Sequence, residues 1–365
     1  MDKKAIFNDN KCKSMAVENT ADVKSYSEKC KEKIFLLNQQ VDLLKNSLEK
    51  KYQEIAQLKA DVADKKKIRT KINPIAKKLN HVRFNLPNFL IIGTQKGGTT
   101  WLHENLKRHP QIYLPKGKKE LEFFSYFHKK VADLGLNYYL EHFNQFEDII
   151  NPEKPKAIGE ATPSYFWSIE PSREWTNPTN KYFNDKIPDS VFNVLGSDVK
   201  LILCLRDPVE RAISAYFHHI RAGRIDYQSQ GILEAGYYNG IIDMGFYSQH
   251  LNVWLETFSL DNFKVLIYER DIKNNKQQTI EQVCDFLQVD SQLFPPSTNL
   301  NKYHNQGLQY RIEADGVYLI SSESDLTTMV IKPEEVRYLR KLYRADYLSL
   351  QKILDLDLAN YWKFQ

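Results

Sequence analysis

A five-residue apolar run that ends in glycine, FLIIG at 89–93, leads directly into the glycine-rich stretch TQKGGTT at 94–100. An all-apolar run of this length is typical of a buried parallel strand, and the helical spacing at 100–108 predicts that a helix follows. A glycine-rich turn at a helix N-terminus presents backbone N–H groups and favours an anion. The alternative is a tight turn without a ligand, which Lys96 disfavours because a cation there needs an anion to face.

Further apolar runs repeat the pattern of a strand followed by a helix. Strand candidates lie at 156–161, 199–207 and 263–271, and helical candidates at 208–222, 275–288 and 334–351. This alternation predicts an α/β fold with a P-loop-like central parallel sheet flanked by helices.

The position of the lysine in the turn separates nucleotide classes. The ATP and GTP P-loop has its lysine after the last glycine, next to a hydroxyl for Mg²⁺, whereas Lys96 precedes Gly97 and Gly98. The stretch TQKGGTTWL at 94–102 resembles the 5′-phosphosulfate loop of the sulfotransferase family. The resemblance implies that the co-substrate is 3′-phosphoadenosine 5′-phosphosulfate (PAPS), a donor that needs no metal.

The resemblance also implies roles for the residues of the turn. Lys96 is expected to stabilise charge on the bridging oxygen of the donor, and the backbone N–H groups of 97–100 to hold the 5′-phosphate. The residue after the two threonines stacks on adenine in part of the family, although it is equally suited to be a core aromatic. The predicted donor contacts here are Lys96, Gly97, Gly98, Thr99, Thr100 and Trp101.

A second motif, LRDPVERAISAY at 205–216, has an arginine at the end of a strand candidate and a serine about two turns into the next helix. Arg206 and Ser214 resemble the 3′-phosphate motif of the family, and the planar guanidinium matches phosphate geometry. The alternative for Arg206 is an ion pair with Asp207 or Glu210. Arg211 is assigned to helix packing or surface pairing.

The candidate catalytic base lies in KKELEFFS at 118–125, which resembles the K-E-x-x-F-F element of bacterial and glycosaminoglycan-type members. Glu120 is expected to take the proton of the acceptor hydroxyl. Glu122 replaces a histidine of many relatives, and its role stays open. The stretch EATPSYF at 160–166 resembles the E-x-T-P-S-Y element and predicts a substrate-side loop. Ala161 replaces a lysine of heparan-type relatives, which weakens the case for a highly anionic acceptor.

The late loop at 301–307 lies where relatives close over the nucleotide. It matches them loosely and lacks the nearby cysteine pair of secretory-pathway enzymes, so His304 is assigned a structural role. The four cysteines show no metal-ligand spacing. No apolar stretch reaches about 18 residues, and a cytoplasmic location is expected.

The N-terminal region is distinct from the rest of the chain. Residues 1–80 contain 19 Lys+Arg against 11 Asp+Glu, and the remainder contains 32 against 35. A solvated helix explains this surplus better than a nucleic-acid partner does. A basic linker is predicted at 64–73, which divides the chain into an N-terminal region at 1–80 and a sulfotransferase domain at 81–365.

A heptad repeat runs through residues 34–62. The a positions are Ile34, Val41, Leu48, Ile55 and Val62, and the d positions include Leu37, Leu44 and Leu58. This pattern predicts an N-terminal coiled-coil helix that makes the protein a homo-oligomer. A single amphipathic helix packed on its own catalytic domain is the alternative.

The sequence thus predicts a PAPS-dependent O-sulfotransferase that releases 3′-phosphoadenosine 5′-phosphate. A P-loop kinase shares the fold but places its lysine elsewhere, and a non-enzymatic coiled-coil scaffold does not need Lys96, Glu120, Arg206 and Ser214 together. The hydroxyl-bearing acceptor, whether glycan, lipid or small alcohol, stays open.

Overall fold

Five parallel strands form the central sheet of the computed structural model. They are β1 (Phe89–Gly93), β2 (Ile112–Tyr113), β3 (Ala157–Ala161), β4 (Lys200–Leu205) and β5 (Phe263–Ile267). Their order across the sheet is β2-β3-β1-β4-β5, so the chain adds β2 and β3 on one side of β1 and then β4 and β5 on the other. In open α/β sheets, ligands bind outside the carboxyl ends of the strands at such a switch point.

The structure describes residues 85–144, 155–168, 186–295, 299–302, 308–313, 316–320 and 327–364. All of them belong to the unit Asn73–Gln365. No helix among these residues is long and apolar enough to span a bilayer.

Side chains of the central strands alternate between two apolar layers, one on each face of the sheet. On β1, Leu90 and Ile92 belong to one layer, while Phe89 and Ile91 belong to the other. All four side chains are fully buried, and burial of each contributes about 1.5–3 kcal/mol to folding. Because both faces are covered, the strand is a continuous apolar run in the sequence.

Helices cover the two faces of the sheet. Those in the described ranges are α1 (Thr99–Leu106), α2 (Phe127–Glu141), α3 (Ile187–Leu195), α4 (Pro208–Arg221), α5 (Ile232–Ala235), α6 (Tyr247–Leu255), α7 (Lys276–Leu287) and α8 (Pro333–Leu354). The start of α4 is fixed by Asp207, whose side chain accepts hydrogen bonds from the N–H groups of Val209 and Glu210 at 2.9 and 3.2 Å. This cap determines how the chain leaves β4.

A second, antiparallel sheet follows α7. Its strands are β6 (Tyr310–Glu313), β7 (Gly316–Ile320) and β8 (Thr327–Ile331). The helix α8 then packs against α6 and α4, where the buried Asp346 accepts a hydrogen bond from the Ser248 N–H at 3.0 Å.

The predicted α/β fold with a central parallel sheet flanked by helices is confirmed. The predicted strand at 263–271 is wrong at its end, because β5 stops at Ile267 and Tyr268–Asn274 form a π-helical turn. The Asp271 carboxylate accepts a hydrogen bond from the Ile267 N–H at 2.6 Å and closes this turn. The coiled coil predicted at 34–62 and the linker at 64–73 lie outside the described residues.

Candidate active site

A cavity of about 430 Å³ lies at the carboxyl ends of β1 and β4. Its volume is in the range of ligand sites for small molecules. It brings together most of the residues that the sequence predicts for the site. These are Lys96, Gly98, Thr99, Thr100, Trp101, Glu120, Arg206 and Ser214.

The glycine-rich turn is held against the end of β4. The N–H and the hydroxyl of Thr94 both donate to the Cys204 carbonyl, at 2.8 and 2.9 Å. Gly97 is not among the residues that line the cavity, and its N–H donates to the Thr94 carbonyl at 3.0 Å. A Cβ atom on Gly97 would lie 2.4 Å from the Cys204 oxygen, so this glycine permits close packing of the turn. The contact of Gly97 with phosphate stays a prediction.

Gly98 begins the helix α1 with φ of 102°, in the region that favours glycine. A Cβ atom there would lie 2.7 Å from Ile272 Cδ1 and 3.0 Å from Tyr268 Cδ2. The π-helical turn after β5 therefore lies directly against the start of α1. The first-turn N–H groups of a helix have no partner within the helix. Thr99, Thr100 and Trp101, which begin α1, line the cavity, so their N–H groups suit an anion there.

The lining of the cavity is strongly cationic. Its basic side chains are Lys96, Lys119, Arg206, Arg221, Lys273, Lys276 and Lys302, and its carboxylate is that of Glu120. Burial lowers the pKa of Lys96, and the nearby positive charges of Arg221, Arg206 and Lys119 lower it further. Such an arrangement favours a ligand with several negative charges.

Arg206 leaves β4 at the edge of the cavity. Its Nη2 lies 3.0 Å from Glu210 Oε2, and its guanidinium lies 5.0 Å from the centre of the Tyr268 ring. The ion pair with Glu210 was one alternative that the sequence offered, and it is present. The Nε of Arg206 is buried and has no hydrogen-bond partner among the described residues. A buried donor of this kind is costly unless a ligand accepts from it.

Ser214 lies two turns into α4 and shares a helix face with His218 and Arg221, all three of which line the cavity. Burial lowers the pKa of His218 to about 4, and the charges of Lys96, Arg224 and Arg221 act in the same direction. The imidazole is therefore neutral near pH 7 and can bind a ligand as a neutral group.

Arg211 is completely buried. It donates to the carbonyls of Gly240 and Ile241. The expected helix packing is therefore confirmed, and the surface pairing is wrong.

The sequence left two roles open for Trp101, stacking on adenine and packing in the core, and its position is compatible with both. Its side chain is 9% exposed and belongs to an apolar core layer, yet it also lines the cavity. The indole N–H donates to the Leu300 carbonyl at 2.9 Å. The ring is thereby fixed between the core and the segment that precedes Asn301 and Lys302, two further lining residues. His304 and the rest of the late loop at 303–307 lie outside the described residues.

Glu120 and Glu122 have different surroundings. Glu120 lines the cavity, its side chain is 47% exposed, and its Oε1 lies 3.4 Å from Lys119 Nζ. Glu122 is not a lining residue. Its backbone has φ of 52°, and its N–H donates to Thr162 Oγ1 at 3.3 Å. The geometry thus favours Glu120 over Glu122 as the group that reaches a substrate.

Several lining residues were not predicted from the sequence. His218 and Arg221 follow Ser214 by four and seven positions, a spacing that places them on one helix face and was available as a signal. Lys119 lies next to Glu120, and its contact with Thr100 had no signal in the sequence. Tyr268 was hidden by the strand prediction at 263–271, because a strand would have directed its side chain differently.

Comparisons with known proteins point to one family. The family model described as "Sulfotransferase domain" matches residues 86–307. The membrane-associated sulfotransferase kil1 of Dictyostelium discoideum is 39% identical over 136 residues, which is 37% of this chain and 24% of that protein. Heparan sulfate glucosamine 3-O-sulfotransferase 3B1 of Homo sapiens is 27% identical over 288 residues, which is 75% of this chain and 65% of that protein. The chain thus spans less than two thirds of the length of these curated relatives.

Among solved structures, a sulfotransferase from Alicyclobacillus acidocaldarius superposes with a TM-score of 0.53 at 21% identity. The match covers 76% of this chain and 99% of that protein. At this identity the likeness concerns the fold alone.

Proposed function

Since the chain belongs to the sulfotransferase domain family, we propose that it transfers the sulfuryl group of PAPS to a hydroxyl group of an acceptor. The observation that carries the proposal is the cavity at the switch point of the sheet, where the glycine-rich turn, the buried Arg206 Nε and a lining rich in cations meet. A donor with phosphate groups at both its 3′ and 5′ positions suits such a lining.

The residues of the cavity fit this donor. The first turn of α1 offers N–H groups to the 5′-phosphate, with Gly98, Thr99 and Thr100 as the residues that hold it. Arg206 and Ser214 are assigned to the 3′-phosphate, which would supply the acceptor that Arg206 Nε lacks among the described residues. Trp101 is assigned to the adenine.

The reaction requires one proton transfer and one substitution at sulfur. Glu120 takes the proton of the acceptor hydroxyl as its oxygen attacks sulfur, while the bond from sulfur to the 5′-phosphate oxygen breaks. Lys96 stabilises the negative charge that develops on that phosphate oxygen. Placed charges of this kind are often the largest contribution to catalysis.

The acceptor class is inferred from the relatives. Several of them are named heparan sulfate glucosamine 3-O-sulfotransferases, and we infer that the acceptor of this chain is a hydroxyl of a glycan. The cytoplasmic location stays a prediction of the sequence, and one relative is named membrane-associated. Transfer of labelled sulfate from PAPS to a panel of glycans, lipids and small alcohols tests the acceptor class directly.

The donor is tested by the binding of three nucleotides. Calorimetry on the wild type should show that 3′-phosphoadenosine 5′-phosphate binds more tightly than 5′-AMP. Arg206→Ala should weaken the binding of 3′-phosphoadenosine 5′-phosphate by about 30-fold to several thousand-fold, because a desolvated arginine–phosphate contact is lost. The same substitution should leave 5′-AMP binding nearly unchanged. Arg224→Ala, at an exposed arginine outside the lining, is the control.

A P-loop kinase gives the opposite pattern. ATP with Mg²⁺ would then bind best, and Arg206 would not distinguish nucleotides by their 3′ group. Equal wild-type affinity for 3′-phosphoadenosine 5′-phosphate and 5′-AMP overturns the proposed donor.

A further inference from the structure

The segment that follows Glu120 is held by side chains of the E-x-T-P-S-Y element at the end of β3. The N–H of Glu122 donates to Thr162 Oγ1 at 3.3 Å. This backbone amide is therefore bonded to a side chain on another element of the fold.

The next two amides share one acceptor. The N–H groups of Phe123 and Phe124 lie 3.0 and 3.4 Å from Tyr165 Oη. The Ser125 and Ser164 hydroxyls are 2.7 Å apart. Three consecutive amides at 122–124 are thus bonded to side chains of one short motif. This motif was predicted to be a substrate-side loop, and Pro163 does line the cavity.

The direction of these hydrogen bonds is determined by their chemistry. Backbone N–H groups only donate, so the hydroxyl oxygens of Thr162 and Tyr165 accept from them and direct their own protons elsewhere. Those protons go to Glu160, at 2.7 Å from Thr162 and 2.8 Å from Tyr165, and Tyr139 donates to the same carboxylate at 2.9 Å. Glu160 is 0% exposed and accepts from all three hydroxyl groups. Burial raises the pKa of its carboxyl group, and these hydrogen bonds oppose that rise.

We propose that Glu160, Thr162 and Tyr165 form a hydrogen-bond clamp that positions Glu120 for proton abstraction. The inference rests on the proposed function, in which Glu120 is the base. The three residues are positioning residues, since Thr162 and Tyr165 bond to the backbone at 122–124 and Glu160 holds their hydroxyl groups.

The backbone that the clamp holds has an unfavourable conformation at Glu122. Glu122 has φ of 52°, and a left-handed conformation costs a non-glycine residue about 1–2 kcal/mol. Without the hydrogen bonds to its N–H and to the neighbouring amides, this segment would relax. The Glu120 side chain is half exposed and bonded to Lys119, so its position depends mainly on the backbone. A displacement of about 1 Å in a reacting group can lower the rate about 100-fold.

The sharpest test compares two tyrosines that donate to the same carboxylate. Tyr165→Phe removes the acceptor of two amides, whereas Tyr139→Phe removes a buried hydroxyl that donates to Glu160. We expect Tyr165→Phe to lower kcat about 10- to 100-fold, with Kd for 3′-phosphoadenosine 5′-phosphate within about twofold of the wild type. Tyr139→Phe should lower kcat by less than about threefold at a similar loss of thermal stability. Equal kcat losses in the two variants would overturn the clamp.

Thr162 supplies a rescue experiment. Thr162→Val keeps the shape but removes the hydroxyl, and Thr162→Ser keeps the hydroxyl. The valine variant should lose at least about tenfold in kcat, and the serine variant should retain most of it. A valine variant as active as the serine variant contradicts the proposal.

Hydrogen exchange tests the clamp independently of the proposed function. Peptides that cover 119–127 should exchange at least about tenfold faster in Tyr165→Phe than in Tyr139→Phe, a readout that needs no substrate. Unchanged exchange overturns the clamp whatever the reaction is. If the clamp variants exchange faster while the wild type transfers no sulfate from PAPS, the backbone contacts stand, and the proposed function and its base fail.

Discussion

Lys119 Nζ lies 2.8 Å from Thr100 Oγ1 and 3.4 Å from Glu120 Oε1. One cation thus links the first turn of α1, which is assigned to the donor, to the carboxylate assigned to the acceptor proton. Its side chain is half-buried in the lining of the cavity.

Lys119→Met keeps the aliphatic stem and removes the charge. We expect kcat to fall about tenfold, because a positive charge beside the transferred group is lost, while Lys119→Arg retains part of the rate. Turnover with labelled PAPS checks both. Lys118→Met is the matched control, since Lys118 is exposed and outside the lining. A similar loss in both methionine variants would assign the effect to general charge instead of this contact.

Glu120→Gln should leave nucleotide binding nearly unchanged and lower turnover roughly 100-fold or more, because the amide cannot take the proton. Glu122→Gln serves as the comparison, since Glu122 does not line the cavity. Calorimetry and turnover on the two variants decide the assignment. If Glu122→Gln loses turnover while Glu120→Gln retains it, the assignment of the catalytic base is reversed.

Gly98→Ala should abolish nucleotide binding and destabilise the fold by about 1–3 kcal/mol. Its Cβ would meet Ile272 and Tyr268, so the π-helical turn would have to move away from the start of α1. Gly117→Ala is the control, because Gly117 has φ of 92° and nothing within 4 Å of the added Cβ. Denaturant unfolding measures the loss of stability in each variant, and calorimetry measures nucleotide binding. Equal effects in both variants would contradict a role for the contact of Gly98 with the π-helical turn.

His219→Gln should make the protein less sensitive to acid. Burial lowers the pKa of His219 to about 3, helped by the charges of His218, Arg224 and Arg211, so the folded state binds this proton later than the unfolded state. Stability therefore falls as pH drops from the unfolded pKa near 6.5 toward the folded value.

Between pH 7 and 4.5 the variant should gain about 2 kcal/mol relative to the wild type. Urea unfolding at several pH values measures this gain, and the comparison at pH 7 gives the cost of the substitution itself. If the difference in the free energy of unfolding between variant and wild type does not change with pH, the lowered pKa of His219 is contradicted.

The heptad repeat at 34–62 predicts self-association of the whole chain. Deletion of residues 1–75 should give a smaller assembly that still binds 3′-phosphoadenosine 5′-phosphate, since the cavity lies in the described part of the chain. Light scattering on both proteins measures the number of chains per particle. The same number before and after deletion refutes the coiled coil, whereas loss of binding contradicts the independence of the domain at 81–365.

The sequence predicted those parts of the fold whose cause is local. The strands β1 and β4 are buried on both faces, so each is a continuous apolar run, and Pro208 after Asp207 signals the start of α4. The turn after β5 was missed because Asp271 ends the strand through its side chain, which no periodicity records. Glu160 was interpreted as part of a substrate loop, since a sequence does not show that three hydroxyl groups surround a buried carboxylate.

The bonds from Thr94 to the Cys204 carbonyl join residues that are 110 positions apart. The glycine-rich turn therefore acquires its shape only after β1 and β4 have paired, a non-local step that is slow in folding. By linkage, a nucleotide bound to this turn stabilises the paired sheet, by about 2.7 kcal/mol at a hundred times its Kd. The supply of donor in the cell would then govern the lifetime of the protein as well as its turnover, because the nucleotide-free chain is the form that opens to proteases.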